Sequence, residues 1–247
     1  SNLHTPMYIF LMMLSLIDIS STSNIMIKML YMLHTQHKTI SFLACITQMY
    51  IYSSLTCTDF FLLGAMAYDR YVAICQPLHY FILMSRTHCC LFIITTWILG
   101  FLMPLGHIHF ISKFYYCTSH IIDHFFCDVT PIMKLSCSDS YVVELLTYIE
   151  GTLLLFPDFL LILTSYILII SNIVKIKSTE GQRKAFSTCT SHLTCVAMFY
   201  GTVLCLYVRP TSNYSPKQDK FFAILNVIVI PMLNPLIYSL KNQEVKT

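Results

Sequence analysis

The chain has 247 residues, of which 56% are hydrophobic and only 11% charged, and its mean hydropathy is +0.66. Soluble globular domains carry about 25% charged residues, so this composition excludes a soluble domain and predicts an integral membrane protein. A net charge of +3 on so apolar a chain gives no indication of nucleic-acid binding. Residues 1–5 are polar and lack a basic stretch, so no cleavable signal peptide is expected there.

Six apolar segments follow one another along the chain, each near the roughly 20 residues that a helix needs to cross the hydrocarbon core. They lie at about 6–30, 41–68, 89–107, 142–172, 186–208 and 219–240. Helices are expected because a span in lipid must satisfy its own backbone hydrogen bonds, and the alternating pattern of a barrel strand is absent. The sequence therefore predicts an all-α membrane protein that forms one transmembrane domain over residues 1–247.

The cysteines orient the chain better than its lysines and arginines, which are almost evenly divided between the two faces. Cys117, Cys127 and Cys137 share the polar loop between the third and fourth segments, and Cys45 lies near the start of the second segment on the same face. Four cysteines allow three sets of pairings. Because disulfides persist on the oxidising side, this face is predicted to be extracellular. The other seven of the eleven cysteines are expected to be reduced, packed thiols.

The segment MAYDRYVAICQPLHY, residues 66–80, places an acid and a base side by side where the second apolar segment ends. At that depth Asp69 and Arg70 would pair with each other or reach a partner, whereas deeper in the bilayer they would be costly. For Asp-Arg-Tyr alone, the alternative is a charged pair that only marks the membrane boundary. The whole string resembles the end of helix three of the olfactory receptors, which are rhodopsin-like G protein-coupled receptors.

Further motifs extend this resemblance over nearly the whole chain. They are LHTPMYIFL (3–11) leading into helix two, LSLIDIS (14–20) within it, Trp97 in helix four, HFFCD (124–128) in the second extracellular loop, SYILII (165–170) in helix five, KAFSTCTSHL (184–193) at the start of helix six and PMLNPLIYSLKN (231–242) at the end of helix seven. The resemblance implies a seven-helix receptor bundle, of which the six segments would be helices two to seven. Without the first helix the chain is not expected to signal, and a non-signalling remnant of a receptor gene is an alternative.

The resemblance also implies how the polar loop is fastened. Cys45 would pair with Cys127, and Cys117 with Cys137, so that the loop forms a lid over the outer mouth of the bundle. Asn213 begins an Asn-Tyr-Ser sequon in an outer loop. A proline follows that sequon directly, so little glycosylation is expected there.

By resemblance, residues at the inner ends of the helices couple the receptor to its G protein. They are Asp69, Arg70, Tyr71, Tyr166, Lys184, Asn234, Pro235 and Tyr238. On activation, Arg70 would leave Asp69 and help to form the docking surface while helix six swings outward. Tyr166 and Tyr238 would brace the open state. Pro235 would kink helix seven because it removes a backbone donor.

Two carboxylates lie inside predicted spans, where a bare charge is expensive. In the family these positions, Asp18 and Asp59 here, face each other near Asn234 and would bind a structural sodium ion or a proton that biases the resting state. The alternative is a pair of neutral carboxyl groups that are hydrogen-bonded as structure. No other cofactor is expected. A metal site at His124 and Cys127 is not expected either, because a metal-binding cysteine must be a free thiolate.

A ligand pocket is predicted from helix faces, because polar and aromatic residues recur at helical spacing on the helix that carries Asp69. By resemblance, helices five to seven complete it. The predicted pocket residues are Tyr52, Ser53, Thr56, Cys57 and Phe60 on helix three, Glu150 on helix five, Tyr200, Val203, Leu204 and Tyr207 on helix six, and Val227 on helix seven. An apolar cavity with a few polar groups suits a small volatile molecule, whereas ordinary helix packing is the alternative for each single residue. Glu150 is expected to be the distinctive polar contact, and its alternative is to face the loop and water.

Together these features predict an odorant receptor in the plasma membrane of olfactory sensory neurons. Its partners would be a small volatile odorant, membrane lipid and a stimulatory, olfactory-type G protein that raises cyclic AMP, with no nucleic acid. An enzyme is not expected, because the sequence has no nucleophile–base set, phosphate loop or zinc signature. A six-helix transporter or channel should show a continuous polar path or repeated halves, and neither is present. A receptor for a peptide or hormone is a further alternative.

Overall fold

The computed structural model describes residues 6–117, 120–207 and 215–241, and within them the regular structure is entirely helical. In chain order the helices are α1 (Pro6–Thr35), α2 (Phe42–Cys75), α3 (Tyr80–Leu83), α4 (Arg86–Leu102), α5 (Leu105–Ile111), α6 (Val129–Leu135), α7 (Tyr141–Glu150), α8 (Phe156–Ile173), α9 (Thr179–Tyr207), α10 (Pro216–Ile224) and α11 (Ile230–Lys241). The π-helical segments Gly151–Leu155 and Leu225–Val229 join α7 to α8 and α10 to α11.

Among the described residues, four helical stretches are long and apolar enough to cross a membrane. They are Pro6–Thr35, Arg86–Ile111, Phe156–Ile173 and Thr179–Tyr207. The helix α2 is also long, with 34 residues, or about 51 Å at 1.5 Å per residue. Its neighbours cover much of its surface, so less of it has to match lipid. The chain is thus a helical membrane protein.

The bundle is assembled around α2, which packs against α1, α4 and α8. Ser41 caps its N-terminus, where the side-chain oxygen accepts a hydrogen bond from the backbone N–H of Ala44 at 3.3 Å. Eighteen of the 34 residues of α2 are buried. The main core lies between these helices and includes the fully buried side chains of Phe10, Met66 and Ile169.

Two glycines allow neighbouring helices to approach closely. A Cβ at Gly100 on α4 would overlap Thr58 on α2. A Cβ at Gly64 on α2 would overlap the carboxylate of Asp158 on α8. Helix association in lipid depends on such close packing, because lipid tails are as apolar as the side chains they replace.

The two π-helical segments widen their helices just before a proline, Pro157 in one case and Pro231 in the other. In the first segment, the backbone N–H of Phe156 donates to the carbonyl of Gly151, five residues earlier. Proline offers no N–H and its ring crowds the preceding turn, so an extra residue in that turn relieves the crowding. Such segments are frequent at functional sites.

The described residues of the loop between α5 and α7, 112–117 and 120–140, include α6 and form a lid at one end of the bundle, which we call the outer end. A disulfide joins Cys45 near the start of α2 to Cys127, and a second joins Cys117 to Cys137, the pairings that the resemblance implied. A separate core packs beneath the lid, formed by Cys45, Ile46, Met49, Ile111, Cys127, Ile132 and Val143. The lid is therefore fastened both covalently and by packing.

Candidate functional site

A buried ion pair lies at the inner end of α2, opposite the lid. The guanidinium of Arg70 donates to Asp69 Oδ2 from Nε at 2.9 Å and from Nη2 at 2.5 Å, and the Asp69 side chain is fully buried. The hydroxyl of Tyr80, on α3, donates to Asp69 Oδ1 at 3.0 Å. Burial and the Asp69 carboxylate raise the pKa of the Tyr80 hydroxyl, so it keeps its proton at neutral pH. Both oxygens of Asp69 are occupied, and Arg70 must leave Asp69 to offer its whole guanidinium to a partner.

Tyr166 on α8 contacts a residue that the sequence did not reveal. Its hydroxyl lies 2.6 Å from Nδ1 of His192 on α9, and the two rings are stacked with centroids 5.7 Å apart. His192 is fully buried. The KAFSTCTSHL motif contains this histidine, but sequence spacing does not show that its partner lies 26 residues earlier. The contact joins α8 to α9 in the inner half of the bundle.

The structure gives fewer side-chain contacts for Tyr71, Lys184, Pro235 and Tyr238, which are also predicted to couple to a G protein. The hydroxyl of Tyr71 accepts from Nε2 of Gln76 at 3.3 Å. The backbones of Lys184, Pro235 and Tyr238 lie in α9 and α11, but their side chains are outside the described part of the chain. The sequon at Asn213 also lies outside the described residues.

A cavity of about 740 Å³ lies between α7, α8 and α9 in the outer half of the bundle, next to α6 of the lid. Small-molecule pockets typically enclose about 300–1,000 Å³. Its described lining residues are Phe60, Val129, Thr130, Met133, Glu144, Thr147, Tyr148, Gly151, Thr152, Leu155, Phe156, Phe159, Tyr200, Val203, Leu204, Leu206 and Tyr207. Most of this lining is apolar or aromatic and several hydroxyls are spread through it, so the outer cavity suits a small and largely apolar molecule.

The whole chain, residues 1–247, matches the family model described as "Olfactory receptor". The chain belongs to the olfactory receptor family. It is 47% identical to Olfactory receptor 5AR1 of Mus musculus over 246 residues, and the aligned region covers 100% of this chain and 79% of that relative. Olfactory receptor 1N1 of Homo sapiens is 45% identical over 245 residues, 99% of this chain and 79% of the relative. Olfactory receptor 8U3 of Mus musculus is 45% identical over 246 residues, 100% of this chain and 77% of the relative. The family resemblance predicted from the motifs is confirmed.

A second, small cavity in the middle of the receptor brings together the three residues of the predicted sodium or proton site. Its volume is about 20 Å³, and its lining includes Asp18, Asp59 and Asn234. The side-chain amide of Asn234 donates to Asp18 Oδ2 at 3.0 Å. Asp59 Oδ1 and Asn234 Oδ1 are buried without a hydrogen-bond partner among the described residues. Carboxylate and amide oxygens are the ligands of small hard cations, so this donor set fits a cation or a shared proton.

The predicted pocket residues are divided between the two cavities. Phe60, Tyr200, Val203, Leu204 and Tyr207 line the outer cavity. Tyr52 and Thr56 line the small cavity, while Ser53, Cys57 and Val227 line neither. A stripe along a central helix contacts several neighbours in turn, which is why its members do not share one cavity. Tyr52, for example, packs edge-on against Phe126 of the lid, with ring centroids 5.0 Å apart.

Glu150 is not among the described residues that line the outer cavity, and its role as a ligand contact stays a prediction. Its Oε1 lies 3.5 Å from Nδ1 of His107 on α5, and Nε2 of the same ring lies 3.0 Å from Oγ1 of Thr147. The part of the lining that comes from α7, the π-helical segment and α8 is Glu144, Thr147, Tyr148, Gly151, Thr152, Leu155, Phe156 and Phe159. Steps of three and four residues connect these positions, as expected for one helix face, and Glu150 lies beside that face. The acid on the cavity wall is Glu144.

Asp158, to which the sequence assigned no role of its own, holds one aromatic side chain of the cavity wall in place. The hydroxyl of Tyr200 donates to Asp158 Oδ2 at 2.7 Å. The Tyr200 ring packs against Phe60 and Phe159, with centroid distances of 4.9 and 5.5 Å. Gly64 leaves the space that the Asp158 carboxylate fills. We call this aromatic group, Phe60, Phe159 and Tyr200, the cavity floor.

A hydrogen-bonded connection ties the lid to the cavity wall. The hydroxyl of Tyr207, on α9, lies 3.1 and 3.0 Å from Oδ1 and Oδ2 of Asp128, the residue that caps α6. The amide of Asn226 donates to the hydroxyl of Tyr52 at 2.9 Å. Asn226 Oδ1 accepts from the hydroxyl of Thr202 on α9 at 3.2 Å, and Gln48 Oε1 on α2 accepts from the backbone N–H of Cys127 in the lid at 3.0 Å. Polar contacts therefore link the lid to α2 and α9, and the Cys45–Cys127 disulfide also joins the lid to α2.

Two buried side chains of the lid have displaced pKa values. Burial raises the pKa of the Asp128 carboxyl to about 7, against the opposing hydrogen bond from the N–H of Val129. Burial lowers the pKa of the His124 imidazole to about 4. Nε2 of that ring lies 3.6 Å from Oδ2 of Asp219 on α10. The lid therefore contains an acid that resists losing its proton and a base that resists gaining one.

Proposed function

We propose that this chain is an odorant receptor that binds small volatile ligands in the outer cavity and activates a stimulatory, olfactory-type G protein, which raises cyclic AMP. Its location would be the plasma membrane of olfactory sensory neurons. The observation that carries the proposal is the pairing of a largely apolar outer cavity with a closed Asp69–Arg70 pair at the inner end. The helices α2 and α9 extend from one region to the other. Family membership supports a receptor, and the relatives lend no support to a transporter or channel.

The described helices correspond, in this proposal, to helices two to seven of the family bundle. The helix α2 carries the Asp-Arg-Tyr motif near its inner end and is helix three, while α4 with α5 is helix four. The helix α7 with α8 is helix five, and α9 is helix six. The helices α10 and α11 together form helix seven, which contains the Asn-Pro-x-x-Tyr motif.

A ligand favours the active conformer only by binding it more tightly than the resting one. The floor residue Tyr200 belongs to α9, and the same helix carries His192, which contacts Tyr166. A ligand that displaces Tyr200 would therefore also displace α9, and the inner half of α9 contains His192, which contacts Tyr166 on α8. Movement of α9 would break the Tyr166–His192 contact and open the inner end.

Opening the inner end would free Arg70. Its guanidinium would exchange the two hydrogen bonds to Asp69 for contacts with the G protein, while Tyr80 continues to donate to Asp69. Tyr71, Lys184, Pro235 and Tyr238 would complete this surface together with Tyr166 and Asn234. The buried carboxylate would then be satisfied by Tyr80 in the open state, which lowers the cost of separating the pair.

We also propose that Asp18, Asp59 and Asn234 hold a sodium ion or share a proton in the resting state. A cation would supply the positive charge that two buried carboxylates otherwise lack. The two oxygens without partners, on Asp59 and Asn234, support this assignment. Contraction of the small cavity on activation would expel the ion or proton.

The test is a cyclic-AMP assay in cells that express residues 1–247 joined to a family-type first helix, together with the olfactory-type G protein, and are exposed to an odorant panel. Arg70→Ala should reach the cell surface and lose the odorant response, because its guanidinium contacts the G protein. Arg86→Ala is the matched control, since Arg86 is an exposed residue at the start of α4 and should leave the response intact. A normal response from the Arg70 variant would overturn the proposal.

A further inference from the structure

One side of the outer cavity is also part of the outer surface of the bundle. Three of its lining side chains, Tyr148 on α7, Phe156 on α8 and Leu204 on α9, are 65%, 55% and 53% exposed. Tyr148 lies between Leu145 and Ile149, which are exposed and do not line the cavity. Apolar side chains on the outside of a membrane-spanning helix face lipid tails, which are as apolar as they are. The three lining residues therefore lie where the cavity meets the lipid-facing surface, and we call them the rim.

Two glycines keep the helices on either side of the rim thin. Gly151 lines the cavity at the start of the first π-helical segment, and Gly201 is exposed on α9, one turn before Leu204. Outside its own helix, a Cβ added at either glycine would meet no atom within 4 Å. No side chain from a neighbouring helix therefore covers these two positions.

The helices on the two sides of the rim are held by different neighbours. The helix α7 packs against α5, where the His107 ring lies 3.5 Å from Glu150 Oε1 and 3.0 Å from Thr147 Oγ1. The helix α9 packs against α10 and α11. Each helix is fastened away from the other, so the space between them at the outer end remains a cavity.

Two polar contacts of α9 mark the outer and inner edges of this gap. At the outer edge the hydroxyl of Tyr207 donates to Asp128 of the lid at 3.0 Å. At the inner edge the hydroxyl of Tyr200 donates to Asp158 on α8 at 2.7 Å. Seven residues of α9 separate the two tyrosines, a rise of about 10 Å at 1.5 Å per residue. Leu204 lies between them, so the rim lies between two fixed points.

The route from water to the cavity is covered, in contrast to its side. Val129, Thr130 and Met133 of the lid form the outer part of the cavity lining. The disulfide between Cys45 and Cys127 fastens this part of the lid to α2. A ligand that arrived from the water would have to pass a lid that is held covalently.

The rim is chemically suited to hydrocarbon. Its three side chains are uncharged, and two of them are wholly apolar. The candidate membrane spans begin at Phe156 on α8 and end at Tyr207 on α9, so the rim lies in the outer leaflet, close to the headgroups. Tyrosines such as Tyr148 are enriched at that depth. Apolar cavities in proteins stay dry, so an apolar cavity beside lipid is stabilised by hydrocarbon that enters it.

From this geometry we infer that the outer cavity opens sideways to the outer leaflet, between α7–α8 and α9, and that an acyl chain of a membrane lipid fills it until a ligand dissolved in the same leaflet takes its place. The inference rests on the proposed function, because it names the entry route and the ligand class for the same cavity. The ligands are neutral molecules with a hydrocarbon tail, since a charged group is costly in the hydrocarbon that they must cross.

The test is photolabelling of the purified receptor, residues 1–247 joined to a family-type first helix, in lipid nanodiscs. The probe is a phosphatidylcholine with a diazirine halfway along one acyl chain, which reaches the cavity only from the bilayer. After illumination, mass spectrometry locates the labelled residues. Phe60 and Val203, which are buried and line the cavity, should be labelled. Met66, which is buried on α2 and lines neither cavity, should not be labelled, and the exposed Ile167 on α8 is the reference for labelling by surrounding lipid.

A small ligand should compete with the acyl chain. At about ten times its half-saturating concentration, 1-octanol should reduce the labelling of Phe60 and Val203 about tenfold by mass action. Labelling of Ile167, which lies outside the cavity, should not change. An octanol that carries a diazirine should itself label Phe60 and Val203.

The variant that tests the opening is Leu204→Trp, which places a larger side chain on the rim. It should lower the labelling of Phe60 by the acyl probe relative to that of Ile167. Leu193→Trp is the matched control, because Leu193 is an exposed residue nearer the inner end of the same helix and lies outside the cavity lining. It should leave the labelling pattern unchanged.

The two photoprobes separate failure of the side opening from failure of the ligand cavity. Labelling of Phe60 and Val203 by the octanol probe but not by the acyl probe would overturn the side opening and leave a small-molecule receptor in place. Undiminished acyl labelling of Phe60 in Leu204→Trp would also overturn it, because the chain would then enter elsewhere. If that variant does not fold, the unaltered receptor decides the matter. Failure of both probes to label these residues would refute the inference and the proposed ligand cavity together.

Discussion

Two substitutions in the lid, Asp128→Asn and His124→Gln, should give the receptor's stability opposite dependences on pH. Both groups are buried: Asp128 is 1% exposed and the His124 side chain 0% exposed. The titratable and charged groups that act on them are Tyr52, Tyr207 and Asp219 for Asp128, and Asp123, Lys220 and Asp219 for His124. Each variant removes one of the two titrating groups, so the remaining pH dependence of stability comes from the other group.

The carboxyl of Asp128 makes the folded state less stable as pH rises. Its pKa is about 7 in the folded protein against an ordinary value of 3.8. Between these values the folded state keeps a proton that the unfolded chain has lost, so raising the pH favours unfolding. A difference of about three pKa units corresponds to about 4 kcal/mol at about 1.36 kcal/mol per unit.

The imidazole of His124 acts in the opposite direction. Its pKa is about 4 in the folded protein against an ordinary value of 6.5. Between these values the unfolded chain holds a proton that the folded state has released, so raising the pH favours folding. A difference of about two and a half pKa units corresponds to about 3 kcal/mol. In the unaltered receptor the two contributions nearly cancel between pH 4 and 6.5.

The assay is the melting temperature of the purified receptor in nanodiscs at a series of pH values across this window. Asp128→Asn should become more stable as pH rises from about 4 to 6.5, and His124→Gln should become less stable as pH rises from about 4 to 7. Asp139→Asn, at an exposed lid carboxylate, should keep the nearly flat profile of the unaltered chain. Parallel profiles in the two variants, or slopes of the reverse sign, would refute the reasoning.

Two further predictions concern packing and the lid. Gly64→Ala should lower the melting temperature because its Cβ overlaps Asp158, whereas Gly201→Ala, with no atom within 4 Å of its Cβ, should gain up to about 1 kcal/mol of helix propensity. A stabilised Gly64 variant would show that this contact is wrong. Cys45→Ser should lower stability by about 2–5 kcal/mol and keep the receptor inside the cell, while Cys90→Ser, at an exposed free thiol, should not. Equal surface staining of both cysteine variants would contradict a structural disulfide.

Much of the helical framework could be predicted from the sequence, because apolar runs of bilayer length leave few alternatives to a helix. The ends of the helices were less predictable. The second predicted segment stopped at 68, yet α2 continues to Cys75 and carries Asp69 and Arg70 on its last turns. Charged residues end an apolar segment but need not end a helix, since arginine is a good helix former in water and aspartate costs only up to about 0.7 kcal/mol more than alanine.

The rotation of each helix about its axis could not be predicted from the sequence alone. The helix α7 carries an acid on each of two sides, Glu144 and Glu150, so its sequence does not show which side forms the wall of the cavity. Both Glu144 and Glu150 were available as the cavity acid, and only the packing of α7 against His107 of α5 separates them. His192 was missed for a similar reason, because its partner lies on another helix.

The central claim is that a ligand in the outer cavity activates a G protein at the inner end. The most direct measurement is nucleotide exchange on a purified olfactory-type G protein. The receptor, residues 1–247 joined to a family-type first helix, is placed in nanodiscs with a ligand shown to stabilise it. The ligand should accelerate exchange on the unaltered receptor and fail with Val203→Phe, which fills the cavity. Ile167→Phe, at a 56% exposed position on α8, should behave like the unaltered receptor. Unchanged exchange despite binding, or equal acceleration in Val203→Phe, would contradict the account.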